Sequence, residues 1–547
     1  MFSFSPKRLY VICLLLAAGF LQSNGQVNDS LAKKIDHLFS EWDKTNSPGC
    51  ALAVLKDGKV IYTRGYGMSN LEYGIAISPA SIFHVASISK QFTAAAIQRL
   101  ALEGKLSLND DVRKYVPEMP DLGQPITLAH LMHHTSGLRD QWDLLALAGW
   151  RGSDLITEDD VLEVLKRQQA LNFAPGEEYL YCNTGYTLLG VVVKRVTGVS
   201  LRHYADSVFF QPLGMSSTHF HSDHTEIVPN RTSAYVKEEG HWAINIPVFD
   251  TYGATSLFTT VGDLAKWDEN FYSAKIGGRE FIDAMLQPGV LNTGKVQTYA
   301  SGLALGEYHG RRFVEHSGAD AGYRAHIIRF PAEHFSVIVL ANLGEINPSN
   351  LCRRVADLFL SAGPGEITKV VNVDTVTTGK WTGDYFDFTS KVRVKVEASS
   401  PGFVNSGTLI ANGSILRPEN DSVFIHPNRS EYRFHTIGER VTILQRATGM
   451  KDRTYERVKK TAVSLAGLED FVGSYYSKEL DVKYVLLVKD YELRVKEPRY
   501  DAVELMPFIK DVFMGPFITE FQRDKKGKVV GFLLSTGRSR NIKFEKI

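Results

Sequence analysis

Ser87 and Lys90 stand three positions apart in Phe83-His84-Val85-Ala86-Ser87-Ile88-Ser89-Lys90, ahead of an apolar run through Ala94, Ala95, Ala96 and Leu100. On a helix, positions i and i+3 share a face, so an amine at Lys90 can reach a hydroxyl at Ser87. A serine hydroxyl is a poor nucleophile until a base takes its proton. A lysine serves as that base only if burial and a helix N-terminus bring its pKa down from about 10.4 by roughly three units. Ser30-Leu31-Ala32-Lys33 has the same spacing but reads as the start of an amphipathic helix, with Asp29 or Ser30 as its cap. Ser87, which opens a helix apolar enough to be central, is the candidate nucleophile.

A second group lies in Pro175-Gly176-Glu177-Glu178-Tyr179-Leu180-Tyr181-Cys182-Asn183-Thr184-Gly185-Tyr186, a turn-rich loop leading into a helix. If the segment is extended, Tyr181 and Asn183 face one side and offer a phenol for proton transfer beside an amide for hydrogen bonding. A third is His316-Ser317-Gly318-Ala319-Asp320-Ala321-Gly322-Tyr323, where small residues let a backbone edge approach a ligand. The N–H groups of Ala319 and Ser87 are candidates for an oxyanion hole, in which one donor is worth roughly 10²–10³ in rate. The chain has no His-Glu-x-x-His, Cys-x-x-Cys, phosphate-loop or Gly-x-Ser-x-Gly motif, so metalloprotease, nucleotide and α/β-hydrolase chemistry lose their main support. Adjacent His133 and His134 read as structural. No metal and no cofactor is called for.

The elements that must position these groups begin with an opening helix carrying Leu31, Ile35, Leu38, Phe39 and Trp42, ended by Pro48 and Gly49. A hairpin follows, with runs at 50–55 and 60–66 about an Asp57-Gly58 turn. Helical windows at 91–102, 161–168 and 186–196, buried strands at 325–330 and 336–340 and a closing helix at 351–360 complete a mixed α/β unit ending near 362. After a seam at Ser361, Gly363, Pro364 and Gly365 the pattern becomes strand alternation, as in Val392, Val394, Val396 and in Tyr491, Leu493, Val495. Trp381-Thr382-Gly383-Asp384-Tyr385 is echoed by Phe471-Val472-Gly473-Ser474-Tyr475. Tyr455 to Val458 is likewise echoed by Phe544 to Ile547. Two β units of about 80 residues explain this repetition.

With 547 residues the chain has room for two or three domains, and its 44% hydrophobic and 22% charged residues fit an ordinary globular core. Lys plus Arg number 62 against 61 Asp plus Glu, so no net field gathers nucleic acid or anionic membrane. Lys7 and Arg8 before an apolar run from Leu9 to Leu21 predict a secretory signal cleaved before Gln26. Cys50, Cys182 and Cys352 then remain, too few and odd in number for a disulfide framework.

The ordered set Ser87-x-x-Lys90, Tyr181-x-Asn183 and His316-x-Gly318 resembles the serine β-lactamase and penicillin-binding-protein superfamily, in the branch holding class C β-lactamases, esterases and D-aminopeptidases. Ile126 to Leu138, Pro212-Leu213-Gly214-Met215 and Gly253 to Leu257 match as well, so the resemblance covers roughly residues 30–360. It implies an α/β (α+β) β-lactamase/transpeptidase-like catalytic domain, an antiparallel sheet flanked by helices, followed by an all-β region of two lipocalin-like or small barrel units. The expected division is a signal at 1–25, a hydrolase domain at 26–362, a linker at 363–379, a β unit at 380–458, a linker at 459–469 and a β unit at 470–547.

The resemblance further implies an acyl-enzyme route. Lys90 with Tyr181 takes the Ser87 proton, Tyr181 protonates the leaving group and serves deacylation, Asn183 binds substrate amide and fixes Lys90, and His316, Gly318 and Ala319 line the substrate. Many penicillin-recognising relatives carry Lys-Thr-Gly where this chain has His316-Ser317-Gly318, and a mostly neutral histidine gives a substrate carboxylate less charge. The leading expectation is a secreted or periplasmic serine hydrolase acting on a small peptide, amide or ester, in D-aminopeptidase, esterase or penicillin-binding-protein-like fashion. The alternatives are a β-lactamase or D-Ala-D-Ala carboxypeptidase, and a non-catalytic protein binding cell-wall fragments. A third reading gives residues 380–547 a partner-binding role, with cell-wall or membrane-surface association left open. It expects a chain ending near 365 to keep hydrolysis.

Overall fold

The computed structural model describes residues 27–360, 373, 375–398 and 408–547. The segment read as a signal and the seam at 361–365 lie outside the described residues. Five helices bear on the site: α1 (Asp29–Phe39), α2 (Ser89–Leu102), α3 (Asn183–Thr197), α4 (Val261–Ser273) and α5 (Pro348–Phe359). The cap of α1 is Asn28, whose Oδ1 accepts from Leu31 N at 2.9 Å, and not Asp29 or Ser30, which lie inside the helix. The helix also ends ten residues before Gly49, and Trp42, which continues its apolar spacing, packs on the same core from the turn that follows.

Six strands form one antiparallel sheet: β1 (Cys50–Lys56), β2 (Lys59–Tyr66), β3 (Ala304–Tyr308), β4 (Arg311–Asp320), β5 (Tyr323–Phe330) and β6 (Phe335–Ala341), in the order β3-β4-β5-β6-β1-β2. Asp57 and Gly58 both take positive φ, 51° and 73°, the geometry of a two-residue hairpin turn whose twist matches its strands. Strand β1 is buried on both faces. Its Cys50, Leu52 and Val54 pack with α1 and α5, while Ala51, Ala53 and Leu55 join the core around α2. Helix α2 is apolar and buried on nearly every side, as the sequence suggests for a central helix.

Helices α2 and α3 start two and three residues earlier than their apolar windows, since polar Ser89, Lys90 and Asn183 occupy their first turns. The window predicted at 161–168 forms a helix over Glu158–Lys166, capped by Thr157.

The C-terminal region contains two closed barrels of eight antiparallel strands each, from Gly383–Asp387 to Arg453–Val458 and from Gly473–Ser477 to Ile542–Lys546. Their repetition extends to single hydrogen bonds. Tyr385 OH donates to Trp381 O and Tyr475 OH to Phe471 O, both at 2.7 Å. Leu493 and Val495 point into the second barrel as alternation predicts, but Tyr491 does not; it sits in the hairpin turn with φ 66° and is 81% exposed.

The second barrel docks on the helical side of the α/β unit, and their apolar cores run together. Arg139, 1% exposed, forms a buried ion pair with Glu479, and Arg540 grips Glu178 through both carboxylate oxygens at 3.0 and 3.2 Å. The first barrel reaches the same segment through Lys451 to Glu177 at 2.5 Å and Arg453 to Glu178 at 3.6 Å.

Candidate active site

Ser87 lies in a single 3₁₀ turn, Ala86–Ile88, between a short strand and α2. Ala86 takes φ 47°, a conformation that costs a non-glycine residue energy and must be held by its surroundings. The surroundings do hold it. Ala86 N donates to His84 Nδ1 at 3.2 Å, Ser89 Oγ donates to Ala86 O at 2.5 Å, and Val85 N donates to Leu257 O at 2.9 Å.

Lys90 is fully buried, and its Nζ reaches Ser87 Oγ at 3.0 Å, Asn183 Oδ1 at 2.8 Å and Ala254 O at 2.7 Å. Two of these partners are carbonyl oxygens that only accept; the third is a hydroxyl that can also donate. A neutral amine has two hydrogens, so it can satisfy both carbonyls and keep its lone pair for the Ser87 proton. Burial brings the Lys90 pKa down to about 7, with nearby Arg538 pushing the same way and Asp140 opposing.

Tyr181 lies beside Ser87 in the same cleft, and its ring is 4.8 Å from Lys90 Nζ. Burial pushes its phenol far above the usual range, so it stays protonated at neutral pH. The segment around it is not extended throughout: Asn183 is already the first residue of α3, and only Cys182 between them is in the β region. Cys182 N donates to His134 Nδ1 at 3.1 Å, and the His134 ring packs on Tyr181 with centroids 4.2 Å apart. His134 therefore positions the loop. Asn183 is oriented by Asp140, whose Oδ2 accepts from Asn183 N at 2.7 Å and from its Nδ2 at 2.9 Å, leaving Oδ1 for Lys90.

The third motif forms the end of β4. A Cβ at Gly318 would come 2.2 Å from Val85 O, so only glycine lets this strand edge lie against the Ser87 turn and bring Ala319 beside Ser87. His316 Nε2 pairs with Tyr299 OH at 2.9 Å, and burial pulls its pKa down to about 3, so it is neutral. All the sequence-predicted residues converge here. Ser87, Tyr181, Asn183, His316 and Ala319 line one cleft of about 650 Å³, with Lys90 beneath it and Gly318 at the turn.

The cleft also contains residues that sequence reasoning missed. Trp142, Leu145, Trp150, Ile156 and Phe249 make an apolar wall. Asp320 accepts from Thr255 Oγ1 at 2.7 Å, and burial pushes its carboxyl up to about 6. Arg538 comes from the second barrel, with its guanidinium 5.0 Å from the Tyr181 ring. The wall residues come from separate segments, Trp142 and Leu145 from a helix over Gln141–Leu147 that the sequence analysis did not single out, and Arg538 carries no local signal at all.

The comparisons with known proteins agree with this geometry. The Beta-lactamase family pattern matches residues 34–359. A D-aminopeptidase of Gluconobacter oxydans (strain 621H) is 30% identical over 298 residues, 54% of this chain and 56% of the relative, so this chain spans little more than half of that protein. A D-aminopeptidase of Brucella anthropi (strain ATCC 49188) is 24% identical over 534 residues, 91% of this chain and 95% of the relative. The octameric penicillin-binding protein homologue from Pyrococcus abyssi shares the fold, with a TM-score of 0.54 at 23% identity over 86% of this chain and 99% of the other. The D-amino acid amidase from Ochrobactrum anthropi SV3 does so with a TM-score of 0.51 at 18% identity over 60% of this chain and 99% of the other. The chain belongs to the Beta-lactamase family.

Proposed function

We propose that the chain is a serine hydrolase that forms an acyl-enzyme on Ser87 and cleaves a small peptide, amide or ester, in the manner of a D-aminopeptidase or esterase. The observation that carries this reading is the buried Lys90 amine, 3.0 Å from Ser87 Oγ with its other two partners both carbonyl oxygens. A protein that only binds ligands gains nothing from burying a lysine against a serine, whereas a nucleophile needs that arrangement.

In the proposed cycle Ser87 Oγ attacks the substrate carbonyl while its proton passes to Lys90, with the protonated Tyr181 phenol bridging the two. The N–H groups of Ser87 and Ala319 hold the oxyanion. Tyr181 gives a proton to the departing amine or alkoxide and is reprotonated from Lys90. Water then attacks the ester on Ser87, its proton goes to the same pair, and the acid product leaves with Ser87 restored. Substrate side chains pack on Trp142, Trp150 and Phe249, as suits a bulky apolar acyl group. The signal-like segment at 1–25 adds the proposal that this chemistry takes place beyond the cytoplasmic membrane.

The test is covalent labelling with a fluorophosphonate and turnover of a panel of D-amino-acid amides, β-lactams and short-chain esters, with mass detection of the adduct. The expected result is one adduct on Ser87 and loss of both labelling and turnover in Ser87→Ala. Persistent turnover in that variant overturns the reading.

A further inference from the structure

The loop joining the last two strands of the second barrel is clamped into the cleft by its backbone. Arg538 N donates to Asp143 Oδ2 at 3.2 Å, Arg538 O accepts from Asn172 Nδ2 at 2.9 Å, and Arg540 N donates to Asn172 Oδ1 at 2.7 Å. The two arginines so presented differ in what they do. Arg540 is 2% exposed and spends its guanidinium on Glu178. The Arg538 side chain is 44% exposed and makes no hydrogen bond among the described residues. Its nearest carboxylate oxygen, Asp140 Oδ2, is 3.9 Å away and already accepts two hydrogen bonds from Asn183. A guanidinium carries five N–H donors in a rigid fork that matches a carboxylate, and here the fork faces the space in which substrate must lie.

The other charges of the cleft sharpen the point. Lys90 is enclosed by its three partners, and His316 is neutral. Arg151, also at the wall of the cleft, has Asp154 at 3.8 Å, but that carboxylate is held by both terminal nitrogens of Arg499 at 2.6 and 2.9 Å. Asp320 is occupied by Thr255. Two permanent cations of the cleft, Arg151 and Arg538, are thus open to a ligand, and Arg538 is the one whose guanidinium lies over the Tyr181 ring, 5.0 Å from its centroid, beside Ser87.

We propose that Arg538 is a specificity-determining residue that binds a carboxylate of the substrate, so that the second barrel supplies the anion recognition this catalytic unit lacks. The inference rests on the serine hydrolase reading and narrows its substrate class to acyl compounds carrying an anionic group near the scissile carbonyl, such as a short peptide with a free C-terminal carboxylate. The apolar wall and Ser87 then fix the other contacts, and the guanidinium sets orientation.

The test uses the full chain and two arylboronic acids that add reversibly to a serine oxygen, one with a meta-carboxylate and one with a meta-carboxamide. Their inhibition constants are measured against Ser87-dependent hydrolysis of p-nitrophenyl acetate. The carboxylate is expected to bind at least about tenfold tighter than the carboxamide in the parent protein, a preference eroded by salt. Arg538→Met keeps apolar cover over Tyr181 without the charge and should bring the ratio near one, while Arg538→Lys should keep part of it. A ratio near one in the parent protein, or one that survives Arg538→Met, overturns this inference and leaves the hydrolase reading standing. Ester turnover that persists in Ser87→Ala, or failure of both boronates to bind, overturns both.

Discussion

A lysine can be sealed from water only where its proton is optional, and Lys90 meets that condition by having two carbonyl partners and one hydroxyl. Because burial lowers its pKa to about 7, the neutral form needed by the free enzyme is gained as pH rises through 7 and lost below it. The expected kcat/KM profile therefore has an acid limb near pH 7, to be read from initial rates on an uncharged ester. Asp140 raises the Lys90 pKa and Arg538 lowers it. Asp140→Asn should accordingly move the limb to lower pH, and Arg538→Met should move it higher. Asp140→Ala also frees the Asn183 amide to turn, and should reduce kcat by about 10–100-fold with smaller effect on KM. Ser87, Lys90, Tyr181, Asn183 and His316 were legible in the sequence because each motif places chemically distinct residues at fixed short spacings. Asp140 and Arg538 were not, because each reaches the cleft from a separate element with nothing in its neighbours to mark it, and Asp320, although inside the third motif, was passed over because its role rests on a contact with distant Thr255.

The elements that carry these groups are held more tightly than their periodicity foretells. Apolar spacing found α2, α3 and the strands of the sheet, yet it missed the polar first turns that hold Lys90 and Asn183, since hydrophobic patterns report the buried stripe and not the helix start. Nor does any sequence signal announce that Ala86 adopts a positive φ, which arises from the bonds around His84, Ser89 and Leu257. The contact between β4 and this turn is the vulnerable joint. Gly318→Ala drives a Cβ into Val85 O at 2.2 Å and must push the strand from the nucleophile. We expect a loss of stability of about 1–3 kcal/mol by thermal melting, together with at least a tenfold fall in kcat as the Ala319 donor moves out of place.

At the scale of the whole molecule, the repeat of two β units was readable from the aromatic and glycine offsets, and the shared Tyr385 and Tyr475 hydrogen bonds show why those offsets persist. Their docking was not readable, because an ion pair such as Arg139 with Glu479 joins positions with no sequence relation. Removing Glu479 leaves a buried, unpaired guanidinium. Glu479→Ala should destabilise the chain by about 3–5 kcal/mol in denaturant unfolding. The double change Arg139→Met with Glu479→Leu should recover much of this. The expectation that a chain ending near 365 keeps hydrolysis sits poorly with this docking: such a chain exposes Arg139, frees Glu177 and Glu178 and loses Arg538 from the cleft. It should show at least a tenfold lower kcat/KM on the same ester.

The loop bearing the Tyr181 phenol is thus anchored by side chains synthesised long after it, Arg540 following Glu178 by 362 positions. During translation the residues of the sheet and of the Ser87 turn emerge before the side chains that anchor the Tyr181 loop. On the proposed reading full activity waits on the closing of that hairpin, so a nascent chain is expected to be a slower hydrolase than the finished one.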